Sequence, residues 1–268
     1  MTPGEGLILL GGGLVAGAIN AIAGGGSLIT FPLLVWLGLP GVAANVSNAL
    51  SVAPGYVAGA LGSRPELAGQ GHRIRAIIPT IIVGSLCGSA ILLLTPRSVF
   101  DFVVPFLLLA AGGMLAFQDR LRALTGNPAA HGDETRQRAP DGRKVDSPRK
   151  TALPVQVAVF ACGVYGGYFN AAMGVLLVAA LALVLDETLQ RLNALKNVFS
   201  AVVGVTTVLI YSVFGPVNWA VVAVLAPGTI AGGFLGARLA RRLPAPILRW
   251  TIVAFAVVVA VILLFTGT

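Results

Sequence analysis

Residues 16–50 read AGAINAIAGGGSLITFPLLVWLGLPGVAANVSNAL, and the run Gly24-Gly25-Gly26-Ser27 inside them decides how the chain is built. It interrupts an apolar stretch, 5–38, that is too long for one straight membrane span and too short for two full ones, since a span needs about 20 residues. A second stretch, 152–186, has the same awkward length and is broken by Gly166-Gly167-Tyr168-Phe169-Asn170-Ala171-Ala172-Met173-Gly174. Either each stretch is a single broken span or each is a helical hairpin.

The remainder of the chain identifies lipid as the solvent. Of 268 residues, 56% are hydrophobic and 10% charged, with a mean hydropathy of +0.89. Soluble domains carry about 25% charged residues, so this composition cannot cover a water-facing surface. Both cysteines, Cys87 and Cys162, fall in apolar runs. They read as small core residues and not as a disulfide framework. The net charge of +8 is no nucleic-acid signature, because the basic residues sit between hydrophobic segments as the positive-inside rule places them. Nothing basic precedes Arg64, so the first apolar run lacks the charged start of a signal peptide and belongs to the fold.

Clean apolar stretches of spanning length occupy 43–62, 76–94, 99–117, 190–211, 217–238 and 247–265. Lysine and arginine positions then choose between eight spans and ten segments. The loop 118–151 holds eight of the 18 basic residues and is anchored in the cytoplasm. Eight spans would then leave Arg97, Arg191, Lys196, Arg238, Arg241, Arg242 and Arg249 outside. Ten segments leave only Arg97 outside and put both chain ends on the outer side. The ten-segment reading is the better one.

The two halves resemble one another. Asn20-Ala21 aligns with Asn170-Ala171 and Gly24 with Gly174 at an offset of 150. Asn48, Ser51 and Gly55 align with Asn197, Ser200 and Gly204 at 149, and Pro79, Gly84, Gly88 and Pro96 with Pro227, Gly232, Gly236 and Pro244 at 148. Five segments per copy is an odd number, so the second copy enters the membrane from the opposite side. The expected fold is an all-α integral membrane protein of two inverted five-segment repeats, about eight full spans plus the broken-helix hairpins, ten segments in all. Residues 1–117 form the N-terminal membrane repeat, 118–151 a cytoplasmic linker whose polar stretch 126–150 reads as mobile, and 152–268 the C-terminal membrane repeat. Inverted repeats with broken helices at matching positions are the build of secondary transporters.

Unpaired backbone groups in hydrocarbon cost several kcal/mol each, so a break at depth must line a cavity or pack on protein. The half-helix starting at Ser27, with Ser27 as its N-cap, offers free N–H groups and a positive dipole end, which suit an anion. Close helix packing would explain one such glycine run, whereas two copies in an inverted repeat favour a site. The candidates are Asn20, Gly24, Gly25, Gly26 and Ser27 at the first tip, and Asn170 and Gly174 at the second. Asn48 and Ser51, with Asn197 and Ser200, lie on one helical face after each hairpin and serve either as ligand donors or as interhelical hydrogen bonds. Lys196 is a natural partner for an anion if it lies at depth, or else it snorkels to the interface.

An enzyme is disfavoured. The ten acidic residues lie in loops or near segment ends, and His72 and His131 lie in loops. There is no metal cluster, no nucleophile with its base and no phosphate-binding loop. No cofactor is expected. The partners are a small anionic solute and membrane lipid, with no nucleic acid and a homodimer left open.

The stretch 16–50 resembles the N-terminal repeat of the sulfite exporter TauE/SafE family, also called the toluene-sulfonate uptake permease family. The block GGFLGARLARRLP, 232–244, resembles that family's C-terminal repeat. The resemblance covers the chain apart from the linker. It implies a multi-pass transporter of the bacterial inner membrane for sulfite, sulfonates, sulfoacetate or related organic anions, working by alternating access. The family's glycine-rich tips correspond to Gly24–Ser27 and to Asn170–Gly174, where Ala172-Met173 replace two expected glycines. An anion channel with the same central site and a non-transporting assembly protein are the alternatives.

Overall fold

The computed structural model describes residues 2–22, 24–117, 153–185 and 187–239. The linker 118–151, the expected last segment 247–265 and Asp186 lie outside the described residues. Nine α-helices occur among the described residues: α1 Pro3–Ile22, α2 Ser27–Trp36, α3 Gly41–Gly62, α4 Gly71–Leu94, α5 Arg97–Ala116, α6 Leu153–Tyr168, α7 Met173–Val184, α8 Leu189–Phe214 and α9 Trp219–Leu239. A 3-10 turn, Arg64–Leu67, joins α3 to α4. Each interrupted stretch is therefore two helices, α1 with α2 and α6 with α7, packed on one another.

Four helices among the described residues are long and apolar enough to cross a membrane: Pro3–Ile22, Gly71–Leu94, Gln190–Phe214 and Trp219–Arg238. The 22-residue α3 is not among them. It carries Asn45, Ser47, Asn48 and Ser51, all buried, so its polar groups meet protein and not lipid.

The helices exchange partners between the two halves. α1 lies along α9, α6 lies along α4, and α3 packs on both α8 and α9. Small residues bring these backbones together, the usual means of association where lipid supplies no hydrophobic drive. A Cβ added at Gly13 would sit 2.6 Å from the carbonyl oxygen of Leu225, and one at Gly84 would sit 2.5 Å from that of Phe160. Gly228, Gly232 and Gly236 meet Leu10, Leu14 and Ala18 in turn, so α1 and α9 run in the same direction. Gly84 meets Phe160 and Gly88 meets Val164, so α4 and α6 also run together. In contrast, Val46 meets Gly215, Ala53 meets Gly204 and Ser63 meets Asn197, so α3 and α8 are antiparallel.

Two sequence expectations are corrected. Cys87 is exposed while Cys162 is buried. The cause is that α4 turns Gly84, Ser85, Gly88 and Ser89 toward the protein, which leaves Cys87 on the outer face. His72 is the second residue of α4 and not a loop residue.

At one end of the bundle, Arg73 of α4 and Arg191 of α8 both reach Glu187, at 2.5 and 2.8 Å. Arg191 also donates to the Ala68 carbonyl oxygen at 2.9 Å. At the opposite end the Asn218 N–H donates to Ser47 Oγ at 2.9 Å.

Candidate functional site

The two breaks meet. Gly24 has a φ of +86° and lies directly against Gly174: a Cβ built on Gly24 would be 2.6 Å from the Gly174 Cα, and the reverse distance is 2.5 Å. Glycine is required at Gly24 by both the left-handed backbone and the contact. Residues 24–28 and 169–175 are all buried. Around the second tip, Phe169 stacks edge-on against Phe31 of α2 at 5.3 Å and near Phe100 of α5 at 6.3 Å. This aromatic cluster fixes where Asn170 emerges.

Breaking a helix orphans its last carbonyl groups, and here side chains from other helices cap them. At the end of α1, the Lys196 ammonium donates to the carbonyl oxygens of Asn20 and Ala21 at 2.7 and 3.2 Å. Asn193 Nδ2 also donates to Ala21 at 3.1 Å. A cation there complements the negative end of the helix dipole. Lys196 does not snorkel: it is 1% exposed, and its Cδ lies 3.0 Å from where a Gly174 Cβ would be. At the end of α6, neutral donors do the same work. Asn45 Nδ2 donates to the Tyr168 carbonyl at 2.9 Å, and the hydroxyls of Tyr211 and Ser89 donate to that of Gly167.

The tips expose donors in a different way from the sequence expectation. Ser27 is the first helical residue of α2 and does not cap it, the N-cap position being Gly26. The Gly26 N–H is taken by Asn20 Oδ1 at 2.6 Å. That contact turns the Asn20 amide group, Nδ2, to a buried position with no hydrogen-bond partner. Asn170 repeats the arrangement: its Oδ1 accepts from the Tyr56 hydroxyl at 3.3 Å, and its Nδ2 is buried and unpartnered. Both Asn170 and Ala172 have left-handed backbones, with φ of 62° and 54°. An asparagine tolerates this conformation better than most residues.

The structure thus brings together Asn20, Gly24, Gly26, Ser27, Asn170, Gly174 and Lys196, with Gly25 buried in the same turn. It places the other candidates in helix interfaces. Ser51 Oγ donates back to the Ser47 carbonyl at 2.7 Å, while its own carbonyl accepts from Thr229 of α9 at 2.5 Å. Asn197 donates to Ser63 Oγ at 2.9 Å. Ser200 and Asn48 are buried on α8 and α3, and Asn48 Oδ1 has no partner.

Sequence reasoning missed Tyr56. Its hydroxyl is 3.5 Å from Ser27 Oγ and 3.3 Å from Asn170 Oδ1, so it touches both tips. The available signal was a hydroxyl-bearing aromatic inside the small-residue run Ser51–Leu61, away from the helix ends where membrane tyrosines gather.

The described residues hold no group of three or more histidine, cysteine, aspartate or glutamate side chains placed to bind a metal ion. No solved structure matches the chain. A probable membrane transporter protein of Haemophilus influenzae is 28% identical over 228 residues, covering 85% of this chain and 82% of that protein. The probable membrane transporter protein YfcA of Escherichia coli K12 is 26% identical over 233 residues, 86% and 77% of the two chains. One from Xylella fastidiosa is 28% identical over 246 residues, 87% and 84%. The family model described as sulfite exporter TauE/SafE matches residues 9–263. With a match over nearly the whole length and a broken helix pair in each half, this chain belongs to the TauE/SafE sulfite exporter family.

Proposed function

We propose that the chain is a secondary transporter of sulfur-containing anions, such as sulfite, sulfonates or sulfoacetate, in the bacterial inner membrane. The observation that carries this reading is that each tip holds a buried amide donor without a partner, at Asn20 and at Asn170, while the unpartnered acceptors Asn45 Oδ1 and Asn48 Oδ1 belong to α3 and not to the tips. The carbonyls of Asn20, Ala21, Gly167 and Tyr168 are occupied by protein donors, whereas the amide nitrogens of Asn20 and Asn170 are buried without partners. A cation site built from unwound helices uses free carbonyls. Unpaired donors call for an acceptor-rich, anionic ligand, and the Lys196 charge beside them favours the same sign. The family name and the transporter names of the relatives support transport over catalysis.

The proposed architecture is two inverted five-segment repeats, with both chain ends outside. Three relations support it. The α1–α9 pairing is matched by α6–α4, the counterparts α3 and α8 run antiparallel, and Arg73 meets Glu187. Eight spans would put residues 63–75 and 186–196 on opposite faces of the membrane, where these two residues cannot touch. Alternating access would then move the hairpins against the rest, opening the Asn20–Asn170 site to one side at a time.

The test is a thermal-shift screen of the detergent-purified chain against sulfite, sulfate, thiosulfate, taurine, sulfoacetate and chloride, beside Asn20→Asp. A ligand that binds only the folded state raises its melting temperature. Asn20→Asp keeps an oxygen for the Gly26 N–H and replaces the free donor with an acceptor. Stabilisation of the native chain by a sulfur anion, lost in Asn20→Asp, is the expected result. Stabilisation by sodium or potassium alone would reverse the reading. Counterflow in proteoliposomes then separates a carrier from a channel.

A further inference from the structure

Resting on the anion site proposed above, we infer that Tyr56 is a positioning residue: its hydroxyl holds the Asn170 carboxamide with its N–H groups turned toward the ligand. The two tips orient their amides by different means. At the first, the Asn20 amide is oriented by the Gly26 N–H, a backbone group that can only donate and therefore accepts no orientation but oxygen inward. At the second, the Asn170 Oδ1 accepts from a side chain of the other half, Tyr56 on α3.

The Tyr56 hydroxyl has one proton. Spent on Asn170 Oδ1 at 3.3 Å, it leaves Ser27 as the donor in the 3.5 Å contact on the other side. The result is a hydrogen-bonded line from the first tip to the second, two hydroxyls, Ser27 and Tyr56, ending on the Asn170 carboxamide. Without it the Asn170 amide is free to turn over, presenting an oxygen to an anion in place of two N–H donors. The repeat also accounts for why this residue stands alone. At the offset of 149 that relates Gly55 to Gly204, Tyr56 corresponds to Val205, which has no hydroxyl and faces outward at 49% exposure. The first tip does not need one.

Sulfite binding to the detergent-solubilised full chain tests this with Tyr56→Phe, Asn170→Gly, the double variant and Asn20→Asp. Tyr56→Phe is expected to weaken sulfite binding about tenfold, the effect of one hydrogen bond to a charged ligand. The unliganded melting temperature should fall as well, because the buried Asn170 Oδ1 loses its donor, so binding is compared well below the melting temperature of every variant. The double variant is expected to bind no more weakly than Asn170→Gly, because the hydroxyl acts only through that amide. Native affinity in Tyr56→Phe beside a weakened Asn170→Gly would overturn the positioning role alone, as would losses that simply add. If sulfite binds and neither Asn170→Gly nor Asn20→Asp weakens it, or if it does not bind at all, both the anion site and this inference fail.

Discussion

The Lys196 ammonium lies 2.7 Å from the Asn20 carbonyl oxygen, so a charge from the second half of the chain closes the end of a helix in the first. The same lysine packs its methylenes on Gly174 of the second tip. It is a brace between the two breaks as well as a source of positive potential.

Replacing Lys196 by methionine keeps the packing and removes the cap. The Asn20 carbonyl then loses its donor, while Ala21 retains Asn193. A loss of about 1–3 kcal/mol is expected, read as a lower melting temperature of the unliganded protein in detergent. An unchanged melting temperature would mean that water reaches the break and replaces the ammonium.

Gly174→Ala drives a methyl group into the Gly24 backbone, 2.5 Å from its Cα. No flexible side-chain end is there to yield, so a destabilisation of about 1–3 kcal/mol is expected, together with loss of anion-dependent stabilisation. Gly11→Ala is the control. Nothing lies within 4 Å of its added Cβ, and in α1 this change should stabilise by about 0.5–1 kcal/mol.

At Asn170 the backbone and the amide can be separated. Its φ of 62° suits glycine, so Asn170→Gly should keep the fold while weakening ligand binding. Asn170→Ala should lose the same binding and a further ~1 kcal/mol of stability to backbone strain. Equal melting temperatures for the two variants would argue that the turn relaxes freely.

Cross-linking reads the topology. With Cys87 and Cys162 replaced by serine, Arg73→Cys and Glu187→Cys should be joined by a short bifunctional maleimide in intact membranes, because the native side chains meet at 2.5 Å. Labelling of the two cysteines from opposite faces of the membrane would rule out the ten-segment arrangement.

How much of this was visible beforehand follows the range of the interactions. The hairpins were legible because Gly24–Ser27 breaks a helix by local chemistry, and the polar face of α3 because Asn48 and Ser51 sit three residues apart. The behaviour of Ser27 was not legible. Serine is a good cap in isolation, but Asn20 folds back to take the Gly26 N–H and Ser27 turns to Tyr56. Lys196 had two readings in the sequence, since its depth depends on where the end of α1 lies, 175 residues earlier in the chain. Cys87 was misread because hydropathy in lipid does not distinguish a core residue from one facing the bilayer.

The exchange of helices between halves also sets a timetable. Gly17 of α1 rests against Gly233 of α9, more than 200 positions further along the chain. At a synthesis rate of about 5–20 residues per second, the first helix waits roughly 10–40 s for its neighbour to leave the ribosome. During that interval its glycine stripe faces lipid or the insertion machinery. Neither half completes its packing on its own, so truncation after the first half should yield a segment prone to degradation and not a half-sized protein.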